Sequence, residues 1–233
     1  MSGFLGPAEW EAVALSLRVA LTATAFSLPL GIVVAYILAR KRFFGHGLLN
    51  GLVHLPLILP PVVTGYLLLI SFGPQAPLGS LLEAMGLGVA FRWTGAALAA
   101  AIMAFPLMVR AIRLSLEAVD PKLEETASTL GASRLRVFTT ITLPLMAPGI
   151  LTGTVLAFAK AMGEFGATIT FVSNIPGQTR TVPSAIYAFL QVPGGEGAAW
   201  RLVVVSVVVA MGALLVSEIM ARRVGKRIGR QDA

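Results

Sequence analysis

Residues 200–216 read WRLVVVSVVVAMGALLV, with Arg201 and Ser206 the only strongly polar side chains and no polar stripe at helical spacing. A helix on a soluble domain keeps one polar face, so a helix that is apolar all round belongs in a bilayer. The composition agrees: 56% of the 233 residues are hydrophobic, 12% are charged and the mean hydropathy is +0.84, too apolar for a polar surface. About 20 mostly apolar residues cross the hydrocarbon. On that measure the expected spans are residues 12–39, 47–72, 93–112, 145–170 and 200–220. The expected fold class is all-α, a polytopic membrane helical bundle of five transmembrane helices in one domain, 1–233. A charged loop lies at about 117–144, and a polar, Gly- and Pro-rich one at about 173–199.

The excess of 18 Lys and Arg over 11 Asp and Glu would suggest nucleic acid in a soluble protein, but in a membrane chain it sets topology. No nucleic-acid partner is expected; membrane lipid is. Arg40, Lys41 and Arg42 follow span one, Arg110, Arg113, Lys122, Arg134 and Arg136 flank the gap after span three, and Arg222, Arg223, Lys226, Arg227 and Arg230 follow span five. Arg92, Arg180 and Arg201 fall on the opposite side, with Arg18 and Lys160 in or near spans. Lys and Arg are retained in the cytoplasm, so the N-terminus is expected outside and the C-terminus in the cytoplasm. Residues 1–11 lack the basic region of a signal peptide and lead into too long an apolar run, so they are expected to persist in the mature chain.

Several chemistries are unsupported. There is no cysteine, hence no disulfide framework or thiolate metal site. His46 and His54 lack companion ligands at helical spacing and read as structural or interfacial. No Gly-x-Ser-x-Gly element or converging base accompanies the span hydroxyls, so no catalytic residues are expected. Prolines at 29, 56, 60, 61, 106 and 148 fall inside spans. Each removes a backbone donor, and the run LPLILPP at 55–61 is dense enough to mark a broken or bent span beside a pathway.

Residues 119–144, VDPKLEETASTLGASRLRVFTTITLP, read as two short helices. Asp120 caps the first, Pro121 fits its first position, Gly131 ends it in the left-handed conformation, and Ser133 caps the second. Leu123, Ala127 and Leu130 form one apolar edge on the first helix, suited to docking a soluble partner at the membrane surface.

Glu125-Thr126-Ala127, then Gly131, then Ile141-Thr142-Leu143-Pro144 resembles the EAA loop of ABC importer permeases, with Thr126 in place of the usual middle Ala. The stretch GEFGATITFVSNIPG at 163–177, followed by TRTVP at 179–183, is similar to molybdate permeases in particular, as are HLP at 54–56, PPVV at 60–63 and FPLMVRA at 105–111. The resemblance implies a type I ABC importer permease fold in a bacterial plasma (inner) membrane. It implies that Glu125, Ala127, Gly131, Ile141, Leu143 and Pro144 belong to the loop docking an ATP-binding cassette subunit. It also implies pairing with a second permease copy as a homodimer and an extracytoplasmic molybdate-binding protein as donor. No G-x-x-x-x-G-K-[ST] pattern is present, so no cofactor is expected on this chain, and ATP and Mg belong to the partner ATPase. Molybdate is the implied cargo, with tungstate or sulfate/thiosulfate as alternatives.

A tetrahedral dianion passing a low-dielectric region needs hydrogen-bond donors and modest positive potential. Thr168, Thr170, Ser173 and Asn174 either offer neutral donors along the exit of span four or, for the hydroxyls, pack helices together, and Arg180 and Arg201 either draw the anion in or anchor span ends. Glu164 is the most pointed intramembrane charge. It either pairs with Lys160 one turn earlier, or with Arg18, or serves a gate or subunit interface.

Overall fold

The computed structural model describes the backbone of residues 4–228 and their side chains except Ser217 and those from 220 onward. The side chains of the basic cluster at Arg222, Arg223, Lys226 and Arg227 are therefore outside the description, and Arg230 and residues 1–3 lie outside the described residues altogether.

The described chain is helical: α1 (Pro7–Arg40), α2 (His46–Ile58), α3 (Pro61–Phe72), α4 (Pro77–Ala84), α5 (Trp93–Glu117), α6 (Pro121–Thr129), α7 (Arg134–Val137), a π turn (Phe138–Thr142), α8 (Leu143–Met162), α9 (Gly166–Val172), α10 (Val182–Leu190) and α11 (Glu196–Ile228). Pro7, Pro61, Pro77 and Pro121 open their helices, where the missing N–H would have had no helical partner. Pro29, Pro56, Pro106 and Pro148 sit inside helices that continue through them. Four helices are long and apolar enough to span, Pro7–Arg40, Trp93–Glu117, Arg134–Met162 and Glu196–Val216, and α2 with α3 makes a fifth span bent by 113°.

That bent pair covers the depth of α5. At one end Asn50 of α2 accepts from Arg113 near the close of α5. At the other, α3 lies along α9, whose Val172 reaches Gly95 in the first turn of α5. Asn50's partner and Gly95 are 18 residues apart on α5, about 27 Å.

α5 is the central helix, with α1 and α8 packed along it. Its inner face is mostly small, with Ala96, Ala97, Ala99, Ala100, Ala104 and Met108 buried. Glycines answer from the neighbours: a methyl group at Gly153 of α8 would lie 3.0 Å from the Met108 carbonyl oxygen. Small residues allow this approach, and close packing holds membrane helices together where lipid is as apolar as leucine.

Three sequence expectations change. The span expected at 145–170 ends at Met162 and restarts at Gly166. Helix α7 is not a separate short helix, because it runs through the π turn into α8 as one 29-residue piece, Arg134–Met162. The outer spans are longer than read, beginning at Pro7 and Glu196. The polar, Gly- and Pro-rich stretch at about 173–199 carries a short helix of its own, α10.

The two interrupted spans meet. Pro61 opens α3 and Gly166 opens α9; a methyl at Gly166 would stand 2.7 Å from Pro61 Cβ, and one at Gly65 would stand 2.5 Å from the Ala167 carbonyl oxygen. The backbone oxygen cannot yield as a flexible side chain would. Gly65→Ala is expected to cost about 1–3 kcal/mol and lower the thermal midpoint in detergent. Gly47→Ala, with open space around it, should leave the midpoint unchanged or raised.

Candidate functional site

Two regions carry the chemistry. The first is the loop at the end of the bundle where α1 and α5 finish. Asp120 caps α6 by accepting from Lys122 N–H at 2.9 Å, and Ser133 caps α7 by accepting from Arg136 N–H at 3.4 Å. Gly131 takes φ +85° between them, a conformation that favours glycine. No residue of α6 is buried. Leu123, Leu130 and Leu135 stand exposed, Leu130 at 84%, so the corner presents apolar side chains away from the bundle. Of the residues singled out by sequence, Glu125, Gly131 and Pro144 are exposed and Ala127, Ile141 and Leu143 half-buried.

The side chain that ties this loop to the spans is Glu124, which no sequence motif singles out. Its Oε1 accepts from Thr142 Oγ1 at 2.7 Å and from Arg40 Nη2 at 3.3 Å, and the same Arg40 nitrogen donates to the Val119 carbonyl at 3.1 Å. Tyr36 meets Phe138 edge-on at 5.6 Å. The π turn makes this possible. Pro144 has no N–H to give a carbonyl four residues back, and its ring would press on it, so the wider turn relieves the clash and rotates Thr142 inward. Thr139 and Thr140 donate their hydroxyls to carbonyls of the preceding turn, as freed acceptors require.

The second region is the break between α8 and α9. Glu164 is 2% exposed. Its Oε2 accepts from Lys160 Nζ at 2.8 Å and its Oε1 from Ala167 N–H at 3.0 Å. The carboxylate thus joins the end of one helix to the start of the next while its charge is balanced. Lys160 is its partner; Arg18 instead lies 3.7 Å over the Trp93 ring, a cation–π contact. Glu164 is not on a continuous helix face with Lys160, since α8 stops at Met162.

The other pathway candidates are committed locally. Thr168 donates to the Phe165 carbonyl at 2.9 Å, and Thr170 to the Gly166 carbonyl at 2.8 Å. Ser173 is exposed at φ +65°. Asn174 accepts from Arg180 at 3.0 Å. Arg201 pairs with the buried Glu9 at 2.8 Å, which favours the anchoring alternative for that arginine. Thr64, beside this break on α3, has a buried hydroxyl without a partner; no local sequence signal marks it out. Among the described residues no group of three or more His, Cys, Asp or Glu side chains could hold a metal.

Residues 27–230 match the family described as binding-protein-dependent transport system inner membrane component. The chain belongs to this family. It is a multi-pass inner-membrane permease, similar at 60% identity to the Escherichia coli (strain K12) molybdenum transport system permease protein ModB, over 95% of this chain and 97% of the relative. The Haemophilus influenzae ModB protein is 54% identical over 95% and 97% of the two chains. A solved bacterial ABC transporter that imports the acidic polysaccharide alginate superposes with a TM-score of 0.75 at 20% identity, covering 94% of this permease and 81% of that chain. That likeness places the fold among ABC importer permeases.

Removing the Glu124 carboxylate leaves Arg40 and Thr142 half-satisfied in a region largely closed to water. Glu124→Ala is expected to lower substrate-stimulated ATP turnover of the assembled transporter several-fold. Glu124→Gln, which still accepts from Thr142, should fall between. Basal ATPase and membrane yield, measured in parallel, should change little.

Proposed function

We propose that this chain is the membrane-spanning subunit of an ATP-driven importer that moves molybdate into the cell. The full-length likeness to molybdenum transport permeases carries this reading. Two copies would form the conduit and two ATP-binding cassette subunits, holding ATP and Mg, would dock against the Leu123–Leu130–Leu135 corner. An extracytoplasmic binding protein would deliver the anion at the opposite end. The N-terminus would face outward and the C-terminus the cytoplasm, so the α6–α7 loop lies where ATP is hydrolysed.

Glu125, Ala127 and Gly131 would sit in the ATPase groove, and Ile141, Leu143 and Pro144 would carry its displacement through the π turn into α8. Glu164, joining α8 to α9, would hold the gate region, with Thr168, Thr170, Ser173, Asn174 and Arg180 shaping the exit of that span. Tungstate, nearly equal to molybdate in size and charge, would pass as well. Sulfate is smaller and holds its water more tightly, so it must give up more on entering a low-dielectric path.

Proteoliposomes containing permease, ATPase and binding protein are expected to take up labelled molybdate in an ATP-dependent way. Unlabelled tungstate should compete and sulfate should not. Gly131→Glu, which forces a bulky charge into a left-handed position at the docking corner, should abolish uptake. Uptake competed by sulfate alone would refute the cargo, and normal uptake by Gly131→Glu would refute the docking assignment.

A further inference from the structure

Arg110, one of the basic residues read as setting topology, is exposed on α5 and has no partner in the described chain. It stands seven residues, about 10 Å, from the end of α5 and 17 residues, about 26 Å, from its start. Of the other cations set back from the span ends, Arg18 lies over Trp93 and Lys160 is paired with Glu164. Arg113, one turn beyond Arg110, holds Glu117 at 2.7 Å and Asn50 at 3.0 Å and already occupies the interfacial position. Arg110 makes no hydrogen bond or ion pair with any described residue.

Its surroundings sharpen the question. Arg110 lines a groove of about 490 Å³ between α5 and α8, walled by Leu107, Leu114, Gly149, Thr152 and Leu156. Thr152 gives its hydroxyl proton to the Pro148 carbonyl at 2.9 Å, so the guanidinium is the free donor there. An unpaired charge on an apolar face inside a membrane is costly and marks a water-filled path or a charged ligand.

We infer that Arg110 is the side chain that contacts the transported oxyanion inside the membrane, in the α5–α8 groove; this rests on the reading of the chain as an oxyanion permease. The guanidinium's planar fork offers two parallel N–H donors, which match two oxygens of a tetrahedral oxyanion. One positive charge leaves the dianion half-neutralised. A site of that strength replaces part of the lost hydration without trapping the cargo.

The test uses the complete transporter in proteoliposomes with Arg110→Gln and Arg110→Lys permeases, reading labelled molybdate uptake and ATPase stimulated by the loaded binding protein. Arg110→Gln is expected to assemble normally and keep stimulated ATPase within about twofold of wild type. Its uptake should fall about tenfold or more, the loss expected for a charge-assisted hydrogen bond. Arg110→Lys, with the charge but not the fork, should be intermediate. Wild-type uptake by Arg110→Gln would overturn the inference. So would a parallel loss of uptake and stimulated ATPase, which would make Arg110 a closure or assembly residue, or wild-type behaviour of Arg110→Lys with failed assembly of Arg110→Gln, which would make it a topology anchor. If wild-type vesicles take up no molybdate, the cargo reading itself fails, and that result is distinguishable from all of these.

Discussion

A bilayer offers a peptide group no partner, so every interruption of a spanning helix must find its own acceptors and donors within the protein. This chain interrupts its spans at 59–60 and at 163–165, and it brings the two interruptions together. Gly65 and Gly166 let α3 and α9 approach until backbone meets side chain. Glu164 takes the first free N–H groups of α9 into account by accepting from Ala167, and Lys160 balances its charge. The surrounding packing follows from this: α9 reaches the start of α5, and α5 organises α1 and α8.

Helix α8 is then a rod with a latch at each end. Thr142 at its base is held to Glu124 of the α6–α7 loop, and Lys160 near its tip is held to Glu164 at the break. The 18 residues between them span about 27 Å. A displacement applied to α6 cannot be absorbed at the base, because Arg40 ties the same carboxylate to the end of α1. On this account the loop, the end of α1 and the base of α8 are joined as one body. Such a displacement would be taken up where the spans are already broken, because the ends of helices absorb backbone rotation that a continuous helix resists.

Much of this was legible locally. The caps at Asp120 and Ser133, the left-handed Gly131, the span count and the break at the double proline each depend on a few neighbouring residues, and each is found as read. The break at Gly163 was not legible: GEFGATIT continues an apolar run, and only the Lys160–Glu164–Ala167 bridge and the packing of α3 end the helix there. Pro144 read as a boundary, whereas the π turn absorbs it. Glu124 carries no local signal because its partners lie 18 and 84 residues away. Arg201 kept an open role for the same reason, its partner Glu9 being 192 residues distant. Hydropathy and capping are local physics, but ion pairs in a bundle are set by tertiary packing.

The claim that the α6–α7 loop and the end of α1 form one body can be measured directly, because the chain has no cysteine and labels can be placed at will. Spin labels on cysteines introduced at Ser128 of α6 and at Arg42 just beyond α1, both exposed, report the distance across the Glu124 latch in the assembled transporter. The same distance distribution with and without bound ATP is the predicted result. A shift in that distance on ATP binding would mean that the loop swings independently of the spans, and would contradict the account.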